Sequence, residues 1–218
     1  MGSRGRRTGT RSSRDRAQAF TLEGVLAASF LVIALLVALQ TTVITPTTGG
    51  AVDDSTRSQL RQKANDILVI MANNEDNDLG WYARYWNPNT RTFYGAKNPN
   101  VGYGALGPPG SFGDMLFDAF SQSGRRYNIV LRFRGNESPD SSGTQRMVYQ
   151  GPPAQHAVVA SHTVTLYDSD TLAGPEATSR ELSEYDTNAS DNDDSYYPIP
   201  DVVDGPVYNV VEVRLTVW

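Results

Sequence analysis

The chain is predicted to be an α+β protein: a long N-terminal hydrophobic helix, a second amphipathic helix, then a single antiparallel sheet. Three observations predict it. An uncharged apolar run extends from Gly24 to Ile44. Apolar residues recur at helical spacing from Leu60 to Met71. Several later segments, above all Tyr127–Arg134 and Val207–Trp218, alternate apolar and polar residues with the period of a strand buried on one face.

The apolar run has Ser29 as its only polar side chain before Gln40. As a helix it would measure ~31 Å at ~1.5 Å per residue, near the ~30 Å hydrocarbon thickness of a bilayer. The first 19 residues carry six arginines (Arg4, Arg6, Arg7, Arg11, Arg14, Arg16) against one acid, Asp15. Positive flanks stay in the cytoplasm, so everything after Ile44 is expected outside. The division expected is a basic cytoplasmic leader at 1–19, a transmembrane or filament-core helix at 20–44, a linker at 45–52 and an extracytoplasmic α+β domain at 53–218. Arg6-Arg7 is not read as a twin-arginine signal, because no apolar pair comes after it and the apolar run is distant.

Pro46 and Gly49-Gly50 interrupt helix formation. A second helix should then start at a cap among Asp53, Asp54 and Ser55, with Leu60, Ala64, Ile67, Leu68 and Met71 on one face. Residues 76–113 are rich in Gly, Pro and Asn and carry Trp81, Tyr82, Tyr85, Trp86, Phe93, Tyr94 and Tyr103. Aromatics at that density imply an ordered loop region packed on the rest. A short helix is expected at about 113–122, with Met115, Leu116, Phe117 and Phe120 apolar. Strands are expected at Tyr127–Arg134, Arg146–Gln150, Ala157–Tyr167 and Val207–Trp218, joined by polar loops.

Charge narrows the function classes. From Thr45 onward, 13 basic residues face 22 acidic ones, a net of −9. Such a body is a poor match for nucleic acid, which binds through Lys and Arg. Only Lys63 and Lys97 are lysines, and Asp outnumbers Glu 17 to 7. An Asp- and Arg-rich balance suits high salt, where it keeps a surface hydrated and pairs carboxylates bidentately, and a halophilic archaeon is the expected source. Without cysteine there is no disulfide, thiolate metal site or lipid-modified Cys.

Ahead of the apolar run stand Ala17-Gln18-Ala19-Phe20-Thr21-Leu22-Glu23-Gly24. This segment resembles the class III signal of type IV prepilins and related pseudopilins, in a haloarchaeal form. The resemblance implies cleavage by a prepilin peptidase on the cytoplasmic side, near Gln18, Ala19 and Phe20. A cut before Phe20 makes Glu23 the fourth mature residue, and a cut before Ala19 makes it the fifth, the family's usual position. It also implies lateral packing of the helix with like or related subunits, Glu23 pairing with a neighbour's new N-terminal amine. Phe20, Gly24, Ala27 and Ala28 would lie in that contact, where small residues permit close approach. A charged side chain at mid-bilayer costs ~2.5–3.5 kcal/mol on insertion scales, so Glu23 needs a partner. The plain alternative is an acid complementing the helix dipole.

Other motifs are weaker. Gly102-Tyr-Gly-Ala-Leu-Gly107 has the letters of a dinucleotide fingerprint, but Pro108-Pro109 stands where a helix should open. His156 and His162 have neither a nucleophile turn nor metal spacing around them. Asp191, Asp193 and Asp194 lack the glycine and later bidentate acid of a calcium loop. Asn136 and Asn188 begin N-glycosylation sequons. The expectation is a non-enzymatic, cofactor-free surface protein, pilin or pseudopilus subunit, with the membrane, the prepilin peptidase and other pilin-like subunits as partners. An uncleaved single-pass protein with an outer binding domain is the alternative.

Overall fold

A computed structural model of the chain describes residues 12–39, 48–138, 140–188 and 194–218, with side chains in the N-terminal helix described for 23–36. The chain divides into two compact units, Met1–Val52 and Asp53–Trp218.

In the first unit, helix α1 spans Ser12–Leu39. The expected long N-terminal hydrophobic helix over 20–44 requires correction here. Among the described residues, no helix is long and apolar enough to cross a membrane. Arginine, alanine and glutamine are good helix formers, so the helix extends back through the polar segment before Phe20 rather than starting where the apolar composition starts. Pro46 and the expected helix end at Ile44 lie outside the described residues.

Helix α2 spans Thr48–Ala72, starting ahead of the expected cap. Leu60, Ala64, Ile67, Leu68 and Met71 are its buried face, as their spacing requires. Asn73 closes it by donating its side-chain amide to Val69 O at 2.8 Å.

The aromatic-rich region is more regular than a loop. Asp78 caps a short helix α3, Leu79–Arg84, by accepting from Trp81 N at 2.6 Å. Two-residue strands β1, Trp86–Asn87, and β2, Thr92–Phe93, then pair antiparallel. Their turn is held by Asn87 Oδ1, which accepts from Asn89 N and Thr90 N. The described residues therefore form two sheets, where a single one was expected; strands of two residues are too short for any alternation to register. Helix α4 comes next at Gly110–Ala119, burying Phe112 and Leu116, while Phe117 is exposed.

The larger sheet is built from β3 Tyr127–Arg134, β4 Ser142–Val148, β5 Val158–Tyr167 and β6 Val207–Val217 in the order β4-β3-β6-β5, all antiparallel. The alternation dictates the register. Ile129 faces Leu215 and Leu131 faces Val213; all four are fully buried, whereas their neighbours Arg132 and Glu212 pair on the other face at 3.6 Å. One continuous core joins this inner face to α2, α3, α4 and the aromatic hairpin.

Buried tyrosines make that core sensitive to alkali. Burial pushes the Tyr127 hydroxyl from 10.0 to about 12, and it raises Tyr82, Tyr103, Tyr197 and Tyr208 as well. With the folded-state value above the unfolded one, the unfolded chain loses protons first as pH rises. The stabilisation is complete below pH 10 and is lost progressively above it. The urea midpoint should hold level up to about pH 10 and fall between about 10 and 12, as monitored by near-ultraviolet circular dichroism.

Candidate functional site

The residues singled out in the sequence fall in two places, and each is described within its own unit. Gln18, Ala19 and Phe20 lie in the backbone of α1, and their side chains are outside the described residues. Glu23, Gly24, Ala27 and Ala28 are exposed. A Cβ added at Gly24 would meet nothing within 4 Å. Val25, Leu26, Phe30, Leu31, Val32, Ile33, Leu35 and Leu36 are 52–69% exposed. They occur on every side of the helix, so no single contact stripe can cover them. Ser29 donates its hydroxyl to Val25 O at 2.8 Å, which satisfies the one polar side chain of the run internally. The result is a cylinder of apolar surface far beyond the scattered exposed residues that water tolerates.

In the second unit, Asn136 sits in the loop between β3 and β4, closed by Gly135 N donating to Ser141 O at 2.9 Å and Ser141 Oγ donating to Ser138 O at 2.7 Å. Asn136, Glu137 and Ser138 are all exposed. Asn188 is also exposed, and its sequon continues into residues outside those described. Both asparagines line one open groove of about 280 Å³ with Phe133, Thr187 and Pro198. The sequence had no means of indicating that they share it.

The aromatic hairpin encloses a cavity of about 90 Å³ between Trp86, Tyr94, Leu172, Arg180, Tyr185 and Asp194, far below the ~300 Å³ of a typical ligand site. Arg180 closes one wall, donating to both the side-chain and backbone oxygens of Asp194 at 3.1 Å. Burial raises the Tyr94 hydroxyl, and the nearby Glu176 charge adds to the rise. These groups are matched to one another, and the aromatics pack as structure. Trp81, stacked on Tyr85 at 4.4 Å, belongs to the same arrangement.

The dinucleotide-like glycines have a structural explanation. Gly102 and Gly104 take positive φ values of 57° and 60°, and a side chain on Gly102 would collide with the Met147 carbonyl. They let the 101–103 segment hydrogen bond against β4, Tyr103 N donating to Met147 O at 2.9 Å. His156 is exposed in a loop, and His162 lies half-buried on β5 opposite Val213. Among the described residues no group of three or more His, Asp or Glu side chains is placed to hold a metal ion; Asp191 and Asp193 lie outside them.

A family model described as a family of unknown function, DUF7288, matches residues 16–217. The chain belongs to this family. The DUF7288 match takes in both the apolar helix and the β-sheet unit, so both are part of the family's pattern. No curated protein and no solved structure matches the chain.

Proposed function

We propose that this DUF7288 chain is a membrane-anchored, type IV pilin-like surface protein, which assembles with like or related subunits through its N-terminal helix. The observation that carries the reading is the all-round apolar exposure of residues 24–36, set directly behind the Phe20-Thr21-Leu22-Glu23 segment that resembles a prepilin start. Apolar surface of this kind is stable only against lipid or against other apolar helices. Gly24, Ala27 and Ala28 are small enough for helices to approach closely. Glu23, the only charged residue between Arg16 and Asp53, would pair with a neighbour's N-terminal amine. In this proposal the arginine segment faces the cytoplasm, the acidic unit lies outside, and no catalytic step is involved.

N-terminal peptide mass spectrometry on protein from its native membrane, with a prepilin-peptidase-deficient strain alongside, tests the proposal. The expected mature start is Ala19 or Phe20 in the first strain, with the arginine segment still attached ahead of it in the second. An arginine segment retained in both strains would refute the pilin-like route and leave an uncleaved anchored protein.

A further inference from the structure

The two edges of the four-stranded sheet are treated differently. The C-terminal end of β4 is covered on its outer side: Tyr103 N donates to Met147 O at 2.9 Å, Tyr149 N donates to Val101 O at 3.0 Å, and Gly102 bridges to Val148. The outer side of β5 has no such backbone partner among the described residues. Hydrogen-bond parity in β6 identifies which β5 groups face outward. Arg126 and Trp218 exchange both backbone bonds at 3.0 Å, so the even-numbered residues of β6 bond towards β3 and the odd-numbered ones towards β5. Val211, Val213, Leu215 and Val217 face Val164, His162, Ala160 and Val158. The backbone N–H and C=O groups of Val159, Ser161, Thr163 and Thr165 therefore point away from the sheet. Among the described residues no hydrogen bond reaches them.

Val158–Tyr167 is ten residues long and contains no Lys, Arg, Asp, Glu, Pro or Gly. Charges, proline and bulges are the devices that stop exposed edges from pairing, and the only irregularity in this strand is a register shift at Leu166/Tyr167. We propose that β5 pairs antiparallel with β5 of a second copy of this chain, about a two-fold axis at His162, joining the two sheets into one.

The strand is its own complement in that register. Val159 lies opposite Thr165 of the second copy, and Ser161 opposite Thr163, so every outward N–H and C=O from 159 to 165 finds a partner. Moving the axis to Ser161 or Thr163 strands one of those residues. The side-chain pairs are Val with Thr, Ser with Thr, Ala160 with Val164, and His162 with its own copy; β-branched and hydroxyl pairs of this kind favour antiparallel contact. The unit carries a net negative charge, and copies repel unless they meet where no acid stands. β5 meets that condition, so two copies can meet there without opposing acids, and the self-complementary register is what selects a second copy. The contact is independent of α1 and of the pilin-like reading.

The chain has no cysteine, so a single introduced thiol reports directly. In the two-fold register, residue 162 meets its copy as a non-hydrogen-bonded pair with Cα atoms ~4.5 Å apart, within the ~4.4–6.8 Å a disulfide accepts. Full-length His162→Cys, oxidised in intact cells with copper phenanthroline, is expected to run mainly as a reducible dimer, with Thr178→Cys on an exposed loop as control. Adding Thr163→Pro, which removes an N–H unused within the fold, or Thr163→Lys should reduce the dimer at least fivefold while circular dichroism stays native. Cross-linking no greater than that of Thr178→Cys, or unchanged by Thr163→Lys, would overturn the proposal.

Discussion

Trp86→Ala should destabilise the sheet unit by about 3–5 kcal/mol, the range for emptying a fully buried aromatic site. Trp86 is 1% exposed and is held edge-on by Phe93 at 5.2 Å and by Tyr197 at 6.5 Å. Its indole N–H donates to Tyr196 O at 3.2 Å, so the substitution removes ring packing and leaves a carbonyl short of a donor. Trp86 and Phe93, paired across β1 and β2, both belong to the continuous core, so emptying the site disturbs the hairpin and its packing together. Trp81→Ala is the internal comparison. That ring is only half-buried, and its loss should cost about 1–2 kcal/mol through the stacked Tyr85 contact and partial area. Equal urea midpoints for the two variants would contradict the assignment of Trp86 as the hairpin's anchor.

The second large effect is expected at Asn209, a polar residue with no exposed surface near the start of β6. Its side-chain amide donates to Pro200 O at 2.7 Å and Arg134 O at 3.1 Å, while its carbonyl accepts from Arg134 N at 3.3 Å and Val210 N at 2.8 Å. One side chain thus ties the end of β3, the start of β6 and the 198–200 segment together. Asn209→Ala leaves several of those buried backbone groups without partners, each worth about 1–3 kcal/mol when orphaned, and should cost about 3 kcal/mol in all. Asn209→Leu, close in volume but apolar, should be no better, because the loss is of hydrogen bonds and not of volume. A leucine variant as stable as the parent in urea would show that packing governs the position.

The outcomes at these two positions bear on the proposed assembly only indirectly, since both lie in the unit that would face outward. They decide how rigid a platform carries the open β5 edge and the groove shared by Asn136 and Asn188. A destabilised hairpin should leave the α1 surface unchanged, because the two are separate compact units.

The sequence by itself determined the features that depend on local periodicity and composition. The strands from Tyr127, Val158 and Val207 lie where alternation puts them, because a strand that buries one face must alternate. The buried face of α2 is readable from residues three and four apart for the same kind of reason. The apolar character of 24–44 and the acidity of residues 45–218 are properties of composition and need no fold. Tertiary structure alone decided the rest. The helix runs through the polar residues before Phe20, a segment whose composition suggested a separate leader, and the β1–β2 pair is too short to leave a periodic trace. Asn209 reads in the sequence as an ordinary polar residue of a strand, since the carbonyls it satisfies arrive from residues 134 and 200. The open edge of β5 is likewise invisible locally: whether a strand's outward N–H and C=O groups are bonded depends on strand order, and strand order is set by which apolar faces pack together across the whole chain.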